Sequence, residues 1–108
     1  MNLLFVCSKN QWRSPTAELI FKGHPLYIAR SAGTSAKARI KINEKLLIWA
    51  DIVFVMERKH NKILFKNYNE LLAYKKVITL NIPDEYIFGD EELIEILKSE
   101  LSQYLNNI

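Results

Sequence analysis

Asn2-Leu3-Leu4-Phe5-Val6-Cys7-Ser8-Lys9-Asn10-Gln11-Trp12-Arg13-Ser14-Pro15 is the stretch from which the rest of the chain can be read. Its first part, Asn2 to Cys7, is a short apolar run bounded by polar residues, and it reads as a buried strand. Ser8 to Arg13 is polar and reads as a loop. Ser14-Pro15 then sets a good N-cap residue before a proline at the first helical position, so a helix is expected from Ser14 to about Lys22, stopped by Gly23 and Pro25.

A strand that passes through a polar loop into a helix brings backbone N–H groups and the helix dipole together on one point, which suits an anion. Cys7 stands at that point, at the carboxyl end of the strand. The same surroundings favour a thiolate, and cysteines so placed ionise below the free value of about 8.5. Arg13 follows after five intervening residues. If the loop from Ser8 to Arg13 curls round an anion, its ends meet: the guanidinium takes two oxygens while the sulfur faces the central atom. Ser14 carries a hydroxyl able to donate to that sulfur and so improve it as a leaving group. With four Arg, six Ser and three Pro in the chain, Arg-Ser-Pro at this offset is a coincidence on the order of one in ten thousand.

Working outward, Leu26 to Arg30 is a second apolar run, and Ser31-Ala32-Gly33-Thr34 has the composition of a loop. Asn43 to Ala50 suits a short helix, Ile52 to Met56 a third strand covered on both faces, and Arg58 to Tyr68 a basic surface helix. Val77 to Ile82 is the fourth strand, ended by Pro83. Asp90 then caps a helix with one apolar face, Leu93, Ile94, Leu97, Leu101 and Leu105. The alternation predicts an α/β fold: a four-stranded parallel sheet with helices on both faces, three layers in all, in one domain over residues 1–108. Ligands in such sheets bind at the carboxyl ends of the strands.

Composition narrows the function. The chain has 108 residues, 49% of them hydrophobic, with 15 Lys+Arg against 12 Asp+Glu. The basic residues are scattered, which suits an anionic ligand better than nucleic acid, and no nucleic-acid partner is expected. No apolar run approaches the roughly 20 residues that span a bilayer, and no basic leader precedes Leu3, so a cytoplasmic protein without a membrane partner is expected. A single cysteine excludes an intrachain disulfide and a cysteine-based zinc site. No metal and no cofactor are expected.

Cleavage of a phosphate ester by a thiolate needs a proton donor for the leaving oxygen. Of three aspartates, Asp51 precedes the third strand and falls at the wrong edge, and Asp90 is a helix cap. Asp84 follows the fourth strand at the same edge as Cys7, which makes it the candidate for the acid; the alternative is a turn residue after Pro83.

Val6-Cys7-Ser8-Lys9-Asn10-Gln11-Trp12-Arg13-Ser14-Pro15-Thr16-Ala17-Glu18 resembles the phosphate loop of the low-molecular-weight protein tyrosine phosphatases, and looks closest to a shorter bacterial branch of predicted tyrosine phosphatases. Ser31-Ala32-Gly33-Thr34, Val55-Met56-Glu57 and Pro83-Asp84-Glu85-Tyr86 resemble further segments of that family, so the likeness covers most of the chain. It implies Cys7 as nucleophile, Arg13 as phosphate ligand within a cradle of Ser8, Lys9, Asn10, Gln11 and Trp12, Ser14 as support for the thiolate, and Asp84 as acid and then base. It also implies that Asn10 holds a strained turn through Ser31, and that Trp12 and Tyr86 line the substrate side. Three positions depart from the pattern: Lys9 stands where the family usually has Gly, Trp12 where it often has a second cysteine, and Glu85 where it has proline.

The resemblance implies a phosphomonoester hydrolase acting on a phosphorylated protein or small phosphomonoester of phosphotyrosine type, through a phosphocysteine. A catalytically weak or inactive phosphate- or phosphoprotein-binding module of the same fold is the alternative. An arsenate reductase with an internal cysteine relay is excluded by the single cysteine. A cysteine–histidine hydrolase would draw on His60, which falls at the catalytic edge.

Overall fold

The computed structural model describes residues 1–108. Strands and helices alternate as β1 (Asn2–Cys7), α1 (Arg13–Ile20), β2 (Ile28–Gly33), α2 (Glu44–Trp49), β3 (Ile52–Val55), α3 (Arg58–Leu72), β4 (Lys76–Thr79) and α4 (Glu91–Leu101). All pairings are parallel, in the order β2-β1-β3-β4. This is the expected α/β architecture.

The two-residue period of a strand sorts β1 onto two cores. Leu3, Phe5 and Cys7 face one side with Ile52, Phe54 and Met56, under Ala17 of α1, Phe21 just after it, and α4 (Leu93, Leu97, Leu101). Leu4 and Val6 face the other with Val53 and Val55, under α2 (Leu47) and α3 (Leu64, Leu72). Phe5 anchors the first core, its ring stacked on Phe54 at 5.3 Å and Phe21 at 5.7 Å between centroids. Because both faces of β1 and β3 are covered, these strands read as unbroken apolar runs.

Chain order places a topological switch between β1 and β3: the chain leaves β1 for β2 on one side and returns to β3 on the other. Ligand crevices open at such switches, and Cys7 is the last residue of β1. No helix is long and apolar enough to cross a membrane.

Three local expectations are corrected. Ser31, Ala32 and Gly33 are not loop but strand, paired with Phe5, Val6 and Cys7; β-ladder hydrogen bonding overrides their turn-like composition. Ser14 is not the N-cap of α1: Trp12 holds that place without a side-chain bond, and Ser14 lies inside the helix with its hydroxyl turned to Cys7. The helix after β3 does not stop at Tyr68 but bends there, at φ −134° and ψ 33°, and continues to the buried Leu72. Asn43 and Asp90 cap α2 and α4 through their side chains, the second as expected.

Candidate active site

The loop between β1 and α1 has its carbonyls turned out and its amides left free. The segment after β2 takes the carbonyls: Thr34 N donates to Cys7 O at 3.0 Å, Ser35 N to Ser8 O at 2.9 Å and Arg39 N to Lys9 O at 3.0 Å, while Arg39 Nε donates to Asn10 O at 3.1 Å. No backbone N–H from Ser8 to Trp12 donates to another group of the chain. A ring of unpaired N–H groups at a helix N-terminus is an anion cradle.

Two residues make this close approach possible. Gly33 passes directly behind the loop, where a Cβ would lie 2.4 Å from Ser8 O and 2.7 Å from Ala38 Cβ. Asn10 turns the loop at φ 56°, a left-handed conformation that Asn tolerates better than most residues. Lys9 is not in the left-handed region, so the absence of glycine there costs the loop nothing in backbone strain.

Cys7, Ser8, Lys9, Gln11, Trp12, Arg13 and Asp84 line one cavity of about 120 Å³. Cys7 is 3% exposed, and its Sγ lies 2.9 Å from Ser14 Oγ. Asn10 Nδ2 donates to the same Ser14 oxygen at 2.8 Å, and the Ser14 hydrogen can go to the sulfur or to Ala32 O at 3.4 Å. Arg13 is almost wholly buried; its Nη1 donates to the Glu57 carboxylate and, at 2.7 Å, to Ile82 O. Nη2 bonds to no group of the chain, and Nε is 3.7 Å from Asp84 Oδ1. The guanidinium is therefore held from behind by one nitrogen, with its Nε and Nη2 edge available for two anionic oxygens.

Burial pushes the Glu57 carboxyl up, but the hydrogen bond and charge of Arg13, aided by Lys59 and His60, outweigh it and hold Glu57 below the usual carboxylate range. Glu57 is thus an anion at neutral pH and the counter-charge for a buried arginine.

Two expected relationships do not form. Asn10 does not reach Ser31: its amide goes to Ser14, while Ser31 Oγ donates to Glu18 Oε1 at 2.7 Å, because the Ser31 side chain faces α1. His60 does not pair with Cys7: its Nε2 meets Ser8 Oγ at 2.8 Å. Tyr86 is half-buried against the α4 core and is absent from the cavity wall. The sequence reading overlooked the parts that Glu57, His60 and Gly33 play here. The only trace of the first two is a carboxylate three residues before a histidine at a helix start, a variant of the capping box.

Neither a family model nor a curated protein sequence matches the chain. Solved structures do. YwlE of Bacillus subtilis, as a mutant, is 26% identical with a TM-score of 0.73, 99% of each chain being covered. YwlE arginine phosphatase with a phosphorylated active-site serine is 25% identical, at TM-score 0.71 and 95% coverage of each chain. The low-molecular-weight protein tyrosine phosphatase of Streptococcus pyogenes has the same fold, at TM-score 0.76, 18% identity and coverage of 98% of this chain and 94% of that one. The chain has the fold of the low-molecular-weight protein tyrosine phosphatases and is similar to YwlE over nearly its whole length. Its own loop carries a charged Lys9 and an exposed Trp12 on the cavity rim.

Proposed function

We propose that the chain hydrolyses phosphomonoesters of phosphotyrosine type, on a protein or a small molecule, through a phosphocysteine. The observation that carries this is the convergence of Cys7 Sγ, the free edge of Arg13 and the unpaired loop amides on one small cavity. These groups fit a phosphoryl dianion from every side but that of the leaving group.

In the first step the Cys7 thiolate attacks phosphorus, an S–P bond forms and the P–O ester bond breaks. Asp84, on the open side of the cavity, gives its proton to the departing oxygen. In the second step a water attacks phosphorus, Asp84 takes the water's proton, and the S–P bond breaks to return thiolate and release phosphate. Ser14, its oxygen fixed by Asn10, donates to the sulfur and makes it the better leaving group. Arg13 holds two equatorial oxygens throughout. Ser8, Lys9, Asn10, Gln11 and Trp12 supply the loop amides, and Lys9 adds positive charge at the rim. Trp12 offers an aromatic surface to the substrate.

Phosphoarginine is a second reading, because one of the similar structures, YwlE at 25% identity, is an arginine phosphatase. The same attack then breaks a P–N bond, with the proton going to the guanidine nitrogen.

Hydrolysis of p-nitrophenyl phosphate without added metal, at mildly acidic to neutral pH, tests the reaction. Cys7→Ser is expected to abolish turnover, and Asp84→Asn to lower kcat by about 10²- to 10⁴-fold. A phosphotyrosine peptide and a phosphoarginine peptide, compared by kcat/KM, decide the leaving group. Phosphate binding without turnover of any of these would leave the protein a binding module.

A further inference from the structure

His60 is fully buried beside the loop and has no part in the steps above. It lies in the first turn of α3, where its Nδ1 accepts the backbone N–H of Glu57 at 3.0 Å. A ring nitrogen that accepts carries no hydrogen, so the proton of the neutral imidazole sits on Nε2. That nitrogen is 2.8 Å from Ser8 Oγ, and as the donor it makes the Ser8 oxygen an acceptor. The hydroxyl hydrogen of Ser8 must then point away from the ring. Ser8 has no other side-chain hydrogen bond, and it lines the cavity next to Cys7.

We propose that His60 is a positioning residue that turns Ser8 into a fixed hydroxyl donor to the anion held against Cys7. The inference rests on the anion-binding reading of the loop and extends it. Capping of α3 explains only the Nδ1 bond, which Gln or Glu at this position would supply equally well; it does not explain why the other nitrogen meets the cradle. Desolvation by burial and the charge of Arg13, with Lys59, push His60 down to about 4 against the opposing pull of Glu57 and Asp84. The ring therefore stays neutral over the range in which a phosphatase works, and its tautomer does not change. Through Glu57 on Arg13 and His60 on Ser8, the start of α3 grips the loop at two places.

The test is a double-mutant cycle read as the dissociation constant of inorganic phosphate by titration calorimetry at neutral pH. Ser8→Ala is expected to weaken binding about tenfold, the scale of one hydrogen bond to a charged group. His60→Ala should weaken it severalfold in the natural chain but less than twofold when Ser8 is already alanine, and His60→Gln, with an acceptor and a donor on one amide, should recover most of the loss. Nitrogen-15 spectra of the unaltered protein should show the hydrogen of His60 on Nε2, which keeps the proposal testable if His60→Ala fails to fold. An equal loss in both backgrounds, or the hydrogen on Nδ1, overturns it. Phosphate binding without turnover would end the hydrolase reading and leave this cycle intact, whereas no phosphate binding by the unaltered protein overturns both.

Discussion

Ser14 Oγ lies 2.9 Å from Cys7 Sγ, although the two residues are on different elements and seven positions apart. The contact exists because α1 begins at Arg13 and its first turn lies against the end of β1. With Asn10 donating to the Ser14 oxygen from the other side, the hydroxyl hydrogen is left with two acceptors, the nearby sulfur and Ala32 O at 3.4 Å, and a thiolate is the stronger of them. Ser14→Ala is expected to slow breakdown of the phosphocysteine more than its formation, since only the former expels a thiolate. In rapid-quench experiments the phosphoenzyme should accumulate, with kcat down about 10- to 100-fold and KM lowered or unchanged. Equal slowing of both steps would show that the hydroxyl does not act on the leaving sulfur.

Arg13 divides its nitrogens between scaffold and cavity, with Nη1 on Glu57 and Ile82 O. Arg13→Lys keeps the charge, but one ammonium cannot serve both partners and also present two parallel donors. A rise in the inhibition constant of phosphate of about 100-fold is expected, with kcat/KM for p-nitrophenyl phosphate falling at least as far. A loss below about threefold would mean that charge alone suffices.

Gly33 has no room for a methyl group, with Ser8 O 2.4 Å from the position of its Cβ. Gly33→Ala must push the loop forward, at a cost of about 1–3 kcal/mol and a drop in Tm of roughly 4–8 °C per kcal/mol. Phosphate should also lose its protection of Cys7 against alkylation by iodoacetate. A variant with unchanged Tm and full protection would place the close approach elsewhere.

His60 contributes to the acid side of the stability curve. Its folded value is about 4 against an ordinary 6.5, so the unfolded chain binds the extra proton between those two values. Stability is therefore complete above about pH 6.5 and declines as pH falls to about 4, by on the order of 3 kcal/mol. Glu57, held below its ordinary 4.5, acts in the same sense at lower pH. Denaturant titrations from pH 7 to pH 4 should show the decline, and His60→Gln, which has nothing to titrate, should flatten it over the upper part of that range. A His60→Gln profile as steep as that of the natural chain would assign the effect to other groups.

Much of this was legible in the chain itself. Strand β1 was readable to the residue, because a doubly covered strand has no polar positions to blur its limits. Cys7, Arg13, Ser14 and Asp84 could be placed at one sheet edge by connectivity alone, since every parallel crossover returns the chain to the same end. The cap at Asp90 is local, and local hydrogen bonds leave their mark in sequence.

What the sequence could not specify are the partners chosen across elements. Ser31 prefers Glu18 to Asn10, His60 prefers Ser8 to Cys7, and Glu57 stands behind Arg13, because side-chain directions depend on how α1 and α3 seat on the sheet. Ser31 to Gly33 look like a turn and form a strand for the same reason: pairing with β1 decides their conformation, and composition does not. Local chemistry determined the order of elements and the position of the nucleophile. Tertiary packing alone decided which nitrogens and hydroxyl hydrogens remain free for an anion, because a donor is free only when everything around it has already found a partner.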